Sequence, residues 1–265
     1  MRIALIADTH VAPSAPECIH NWHAAAASIA SLKADITVHL GDITFDGEHQ
    51  PHQLELAAEF IQDWPTPIRC VPGNHDIGVG AGEQPLSTHR LSRYYRAIGA
   101  DRWMIRHEGW VLFGLNAQLI GSGGRAEAAQ WEWLEGVATE LSAVQRAIVL
   151  LHRPLMRAPD DHGMLIGRYV EAVGATRLMR GPLRRALALV ISGHTHQALE
   201  FSADGVRHVW VPSSAFVIPD AMQARVGTKV VGIGMLTLRD QSAHYECVCP
   251  PGMRRNDLTE LKCLR

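Results

Sequence analysis

At 265 residues, with 47% hydrophobic and 20% charged side chains, the chain is long enough for one large domain and too apolar for extended disorder. Its 25 Lys and Arg against 27 Asp and Glu leave a formal net charge of −2, which excludes the basic footprint of a duplex nucleic-acid binder or of a protein held on anionic membranes. Histidine is abundant instead: 15 His stand against 5 Phe and 4 Tyr, and imidazole is both the commonest metal ligand and a ready acid or base near neutrality.

The opening apolar run reaches Asp8 too soon for the hydrophobic region of a signal peptide, and no run approaches the ~18 apolar residues of a membrane span. A cytoplasmic location is the expectation. Short runs rich in Ile, Val and Leu predict buried strands at Ile3–Ala7, Ile36–Leu40, Ile68–Val71, Val111–Leu115, Ala147–Leu151 and Leu187–Ser192. Between them, apolar side chains recurring every three or four residues predict helices. One carries Ile19, Trp22, Ala26, Ile29 and Leu32, one covers Gln53–Gln62, and one covers Glu127–Leu141. Ile77–Leu86 and Ala158–Gly167, the latter with Asp160, Asp161 and His162, read as loops long enough to border a site. Beyond Ser192 the texture becomes strand-rich: Ala198–Ser202, Val206–Val211, Thr228–Leu238 and Ala243–Val248, with a hairpin turn at Asp204-Gly205. No linker or repeat divides the chain, so residues 1–265 read as a single domain. The five cysteines are scattered and odd in number, which argues for free thiols. A soft metal on Cys247, Cys249 and Cys263 is the weaker alternative, because zinc spacings mostly place two or more residues between ligands.

The residues just past the strands carry the chemistry. The first strand ends in Asp8-Thr9-His10, the second in Gly41-Asp42, and the third leads into Gly73-Asn74-His75-Asp76. The run at 147–151 ends in His152 and that at 187–192 in Gly193-His194-Thr195-His196. Singly, each block has an ordinary explanation as a cap or a turn. Five in succession, each behind a strand, do not, because strand C-termini joined by helical crossovers collect along one edge. Two carboxylates, an amide oxygen and four imidazoles suit Mn, Fe, Co, Ni or Zn better than Ca. Asp8, His10, Asp42, Asn74, His152, His194 and His196 are too many ligands for one tetrahedral ion; two ions about 4 Å apart sharing a carboxylate would accommodate them.

These blocks, in this order over residues 8–196, resemble the calcineurin-like metallophosphoesterase superfamily: D-x-H, GD, GNH[DE], a single His, and GHxH. The resemblance implies a four-layer α/β/β/α sandwich of two mixed sheets flanked by helices. The strand-rich residues 197–265 are expected to complete the second sheet and to offer a surface for a homo-oligomer. It implies Asp8, His10, Asp42 and His196 on a first metal, and the shared Asp42 with Asn74, His152 and His194 on a second, Mn, Fe or Zn being favoured. His75 takes the place of the phosphate-contacting His that serves the leaving group. The implied reaction is in-line attack on phosphorus by a metal-bound hydroxide, with Asp42 and His75 as the catalytic pair.

Departures from subfamilies narrow the substrate. Phe45 stands where purple acid phosphatases carry a Tyr ligand, so no tyrosinate-to-iron colour is expected. Phe45, Asp46 and Asp76 replace the Asp, Arg and Glu of protein Ser/Thr phosphatases. The pattern is closer to the bacterial phosphodiesterase branch, which includes cyclic-nucleotide and glycerophosphodiester hydrolases. The expected partner is therefore a small phosphodiester, with a nucleotide pyrophosphate or a phosphomonoester as alternatives; a non-catalytic protein-interaction scaffold is the remote one. Arg153 and Asn116 are candidates to border the pocket, and His39 reads as a supporting or core residue. Trp210 and Phe216 read equally as core.

Overall fold

Ile3 and Leu5 point to one face of the first strand and Ala4 and Ile6 to the other, and all four are fully buried, so this strand is covered on both sides. The computed structural model describes residues 1–80, 86–156, 158 and 167–264. In it β1 (Arg2–Ile6), β2 (Ile36–His39) and β3 (Ile68–Cys70) run parallel. A second sheet is built from β4 (Trp103–His107), β5 (Trp110–Leu115), β6 (Arg146–Leu151), β7 (Leu187–Ser192), β8 (Leu199–Ala203) and β9 (Val206–Trp210), in the order β4-β5-β6-β7-β9-β8. Its four inner strands are parallel; β4 and β8, at the edges, are antiparallel to their neighbours. The short β10 (Phe216–Val217) pairs with a segment near the C-terminus, β13 (Asn256–Asp257). Between them β11 (Ile233–Arg239) and β12 (Ser242–Val248) complete the first sheet, in the order β12-β11-β1-β2-β3.

The two sheets face each other across a core of Ile3, Leu5, Val38, Leu40, Leu112, Ile148, Leu150 and Leu236. On the outside of the first sheet lie α1 (Pro16–Leu32), α2 (Pro51–Gln62), the single turn α3 (Asn74–Ile77) and α4 (Thr88–Ala97). Against the second sheet pack α5 (Arg125–Thr139) and α6 (Ala172–Arg180), through Trp131, Leu134, Leu178 and Met179. The arrangement is the expected α/β/β/α sandwich. Helices α1 and α2 both open on a proline, whose missing N–H costs nothing in the first turn. Trp22, Ala25 and Ile29 then bury one stripe of α1 against β1.

Two expectations need correction. The tail does not complete the second sheet alone: β8 and β9 join it, whereas β11 and β12 extend the first sheet, with Arg2 opposite Thr237 and Leu5 opposite Gly234. The cause is the open edge of β1, whose unpaired backbone groups need a ladder that β2 supplies only on the other side. The segment predicted as a strand from Thr228 becomes one only at Ile233; Thr228 instead forms an isolated bridge with Ala198. Helices α4 and α6 and the edge strand β4 are present beyond the elements predicted from sequence. Two of the long loops fall partly outside the described residues, including Asp160, Asp161 and His162.

Candidate metal centre

All five blocks emerge from the C-terminal ends of parallel strands: β1 leads to Asp8 and His10, β2 to Asp42, β3 to Asn74 and His75, β6 to His152, and β7 to His194 and His196. The backbone there is strained. Asp8, His10, Asp42, His194 and His196 have φ of 53°, 46°, 52°, 67° and 52°, the left-handed region that costs a side-chain-bearing residue about 1 kcal/mol or more. They are five of the nine non-glycine residues with positive φ among the described residues, so the strain is concentrated where the chain must turn side chains back over the strand ends.

Close backbone approach is equally specific. A Cβ on Gly73 would lie 2.1 Å from Asp42 Oδ1 and 2.2 Å from the Asp42 nitrogen, so only hydrogen fits there. Gly73→Ala is therefore expected to displace Asp42 and to lower metal content and turnover together, although no ligand is removed. Metal content equal to that of the wild type would overturn this.

The carboxylates and imidazoles converge. Asp8, His10 and His196 form one group with ligand atoms within 4.8 Å of one another; Asp42, His152 and His194 form another, and His10, Asp42 and His75 link them. Asp42 Oδ2 stands 3.2 Å from His152 Nε2 and 3.9 Å from His10 Nε2, and His196 Nε2 is 3.5 Å from Asp8 Oδ1. Asn74 Oδ1 lies 3.2 Å from His152 Nε2. The seven predicted ligands and His75 are thus brought to one place. Among the described residues Cys247, Cys249 and Cys263 join no such group.

Backbone carbonyls orient the rings. His152 Nδ1 donates to the Leu40 carbonyl at 2.8 Å, His196 Nδ1 to Phe216 at 3.0 Å, and His194 Nε2 to Gly167 at 3.2 Å. A carbonyl can only accept, so each ring carries its proton outward and turns a lone pair inward. His194 Nδ1 and His152 Nε2 consequently meet at 3.0 Å, and the His196 Nε2 lone pair meets His10 Nε2 at 3.3 Å, while the buried His10 Nδ1 has no hydrogen-bond partner among the described residues. Two lone pairs facing each other, as on neutral His194 and His152, repel unless a cation or a proton lies between them. This donor set fits bound cations.

The electrostatics agree. Burial penalises the His152 cation, yet the Asp42 and Asp8 carboxylates and the Leu40 carbonyl together outweigh it and push the ring up to about 9, so that at neutral pH a proton stands where a metal would replace it. Burial also pushes His196 down to about 4 and holds His10 and His194 well below the usual imidazole range, with neighbouring imidazoles adding to the effect. Asp8 is pushed up to about 7 by burial and the Asp42 charge, against the pull of His152. Asp42 stays well below the usual carboxylate range, because His152 and His75 outweigh its burial.

Supporting groups that the motifs leave unassigned fix these positions. Asp76 accepts from the backbone nitrogens of Ile43, Thr44 and Gly73, pinning the Asp42 turn to the Asn74 turn. His39 donates through Nε2 to Thr9 Oγ1 (2.8 Å), which donates onward to the Ile43 carbonyl, while the Gly41 N–H donates to His39 Nδ1. His39 therefore ties the Asp8 and Asp42 turns together. Ser213, just past β9, donates to the Asp8 carbonyl at 2.9 Å. Phe216 packs its ring 4.9 Å from His10 and 4.7 Å from His196, while Trp210 is simply buried. Two pocket candidates take structural roles instead: Asn116 donates to Asp101, and Arg153 donates to the Ala117 carbonyl. A cavity of about 500 Å³ opens over the centre, and the buried Arg168 lines its edge. No sequence motif marks Arg168.

Comparison with known proteins agrees with the geometry. The calcineurin-like phosphoesterase family pattern matches residues 1–198. A protein of Psychrobacter arcticus named "Probable cyclic nucleotide phosphodiesterase" is 24% identical over 189 residues, spanning 70% of this chain and 65% of that relative. A dimetal phosphatase from Danio rerio superposes with a TM-score of 0.64 at 14% identity, covering 93% of this chain and 95% of that one. GAP50, the anchor in the inner membrane complex of Plasmodium, superposes with a TM-score of 0.65 at 14% identity, over 94% and 84% of the two chains. Matched across the strands and turns that build the centre, the chain belongs to the calcineurin-like phosphoesterase family.

Proposed function

We propose that this protein hydrolyses a small phosphodiester with two transition-metal ions, Mn, Fe or Zn being favoured by the hard oxygen and imidazole donors. The observation that carries the reading is the pair of ligand groups flanking Asp42. Asp8, His10, Asp42 and His196 would hold one ion, and Asp42, Asn74, His152 and His194 the other. When bound, such a pair neutralises phosphate oxygens and supplies hydroxide at neutral pH.

The remaining chemistry belongs to the chain. His75 donates through Nδ1 to the Phe45 carbonyl at 2.6 Å, which leaves Nε2 as the atom that can deliver a proton to a departing oxygen. The Asp42 carboxylate and that carbonyl raise its affinity for a proton against the cost of burial. Its backbone nitrogen donates to Asp42 Oδ1 at 2.8 Å, so acid and carboxylate are set by one turn. Phe45 packs 5.7 Å from the His10 ring and offers no phenol oxygen. Iron-loaded protein is accordingly expected to lack the visible charge-transfer band of an iron–tyrosinate; its appearance would mean that a tyrosine reaches the metals.

The relative from Psychrobacter arcticus supports a cyclic nucleotide as one candidate diester. Asp46 strengthens the preference for diesters. It occupies a position where protein phosphatases carry an arginine, and it is engaged with His49 Nδ1 at 2.7 Å and Gln50 Nε2 at 2.9 Å. Arg168 favours a second reading, a phosphomonoesterase, since a cation at the cavity edge suits a dianion. Metal-loaded protein assayed on bis(p-nitrophenyl) phosphate, p-nitrophenyl phosphate and a nucleotide pyrophosphate separates these. A higher kcat/KM on the diester is expected; turnover of none of the three would overturn the proposal.

A further inference from the structure

The cavity over the metal centre has two chemically different parts. Its floor is the carboxylate and imidazoles with Asn74, and around its rim Val79, Ile218, Met222 and Leu258 form an apolar part beside Gly167, Arg168 and Gln223. These four apolar residues come from three segments: Val79 from the loop after α3, Ile218 and Met222 from the loop after β10, and Leu258 from the turn after β13. Val79 is 46% and Met222 59% exposed, and they are two of the five large hydrophobic side chains left exposed among the described residues. Single exposed apolar residues are ordinary, but two rimming one polar cavity, with Ile218 and Leu258 beside them, form a patch with a location.

The Met222 loop is held in place. Gln197, directly after His196 and fully buried, accepts the backbone N–H groups of Val226 and Gly227 at 2.8 Å each and donates to Gln223 Oε1 at 2.8 Å. Lys229 pairs with Asp220 at 2.8 Å and donates to the Gln223 carbonyl at 2.6 Å. The residue next to a metal-facing histidine thus fixes the loop that carries the exposed methionine.

We propose that this rim is the specificity subsite for the ester group of the substrate, and that it selects a planar aromatic or heteroaromatic group seated between Val79 and Met222 while the phosphate lies on the metal centre. The inference rests on the phosphodiester reading and deepens it. About 500 Å³ is within the range of small-ligand pockets and accommodates a phosphate with a ring system. A thioether adapts its shape and makes favourable contacts with ring edges, which suits Met222 to the task.

The test compares phenylphosphonate with methylphosphonate, which share a charged head and differ only in the ring. Binding is measured by calorimetry on manganese-loaded protein, so it does not depend on turnover. Wild type is expected to favour the phenyl compound by about tenfold or more, Val79→Ser/Met222→Ser to reduce that ratio to about threefold or less, and Met222→Leu to keep it. Equal affinity for the two phosphonates in wild type, or an unchanged ratio in the double variant, would overturn the subsite. Failure to hydrolyse bis(p-nitrophenyl) phosphate with the ratio intact would instead remove the phosphodiesterase reading and leave the subsite standing.

Discussion

Replacing Asp42 with Asn is expected to reduce turnover by about 10³-fold or more, because several kcal/mol of charge stabilisation depend on the carboxylate placed between the two ligand groups. The substitution is close to isosteric, and Asn tolerates the left-handed φ of 52° that this position requires, so the backbone should persist. What disappears is the charge that His152 and His10 face. Elemental analysis should then find fewer than two metal ions per chain, with the circular dichroism of the wild type preserved. Full metal content together with wild-type kcat would show that Asp42 does not bridge the ions.

His75→Ala is expected to behave in the opposite way with respect to metal. It should retain both ions and lose about 10²–10⁴-fold in kcat, the range for a positioned general acid. The ring stands at the cavity beside the candidate ligands, 4.8 Å from that of His10, and is braced by the Phe45 carbonyl. Because an acid matters most when the departing oxygen is basic, the loss should grow from nitrophenyl to phenyl to alkyl esters. A uniform loss across that series would remove the acid role and leave His75 as a phosphate contact only.

The candidate metal centre was legible in sequence because its parts are local. Each ligand block directly succeeds a short buried strand, and residues such as Gly41-Asp42 or Gly193-His194 carry both the turn and the donor. Strand alternation was legible for the same reason: β5 to β7 are apolar enough to be read without knowing their neighbours. Asn116 and Arg153 show the limit. Both sit at strand ends like the candidate ligands, but their partners, Asp101 and the Ala117 carbonyl, are brought to them by the fold.

The identity and order of the seven candidate ligands and the strand–helix alternation were determined by the sequence alone, since they depend on hydrophobic period and short-range spacing, and the sandwich class followed from the resemblance those ligand blocks carry. Tertiary structure decided what depends on distant segments meeting. It set the division of the tail between two sheets through the open edge of β1, and the proton positions on His152, His194 and His196 through carbonyls at Leu40, Gly167 and Phe216. It also made the apolar rim, whose residues 79, 218, 222 and 258 have no common pattern along the chain. A spacing rule records neighbours in sequence; a carbonyl or a methionine supplied from far along the chain leaves no local trace until folding closes the distance.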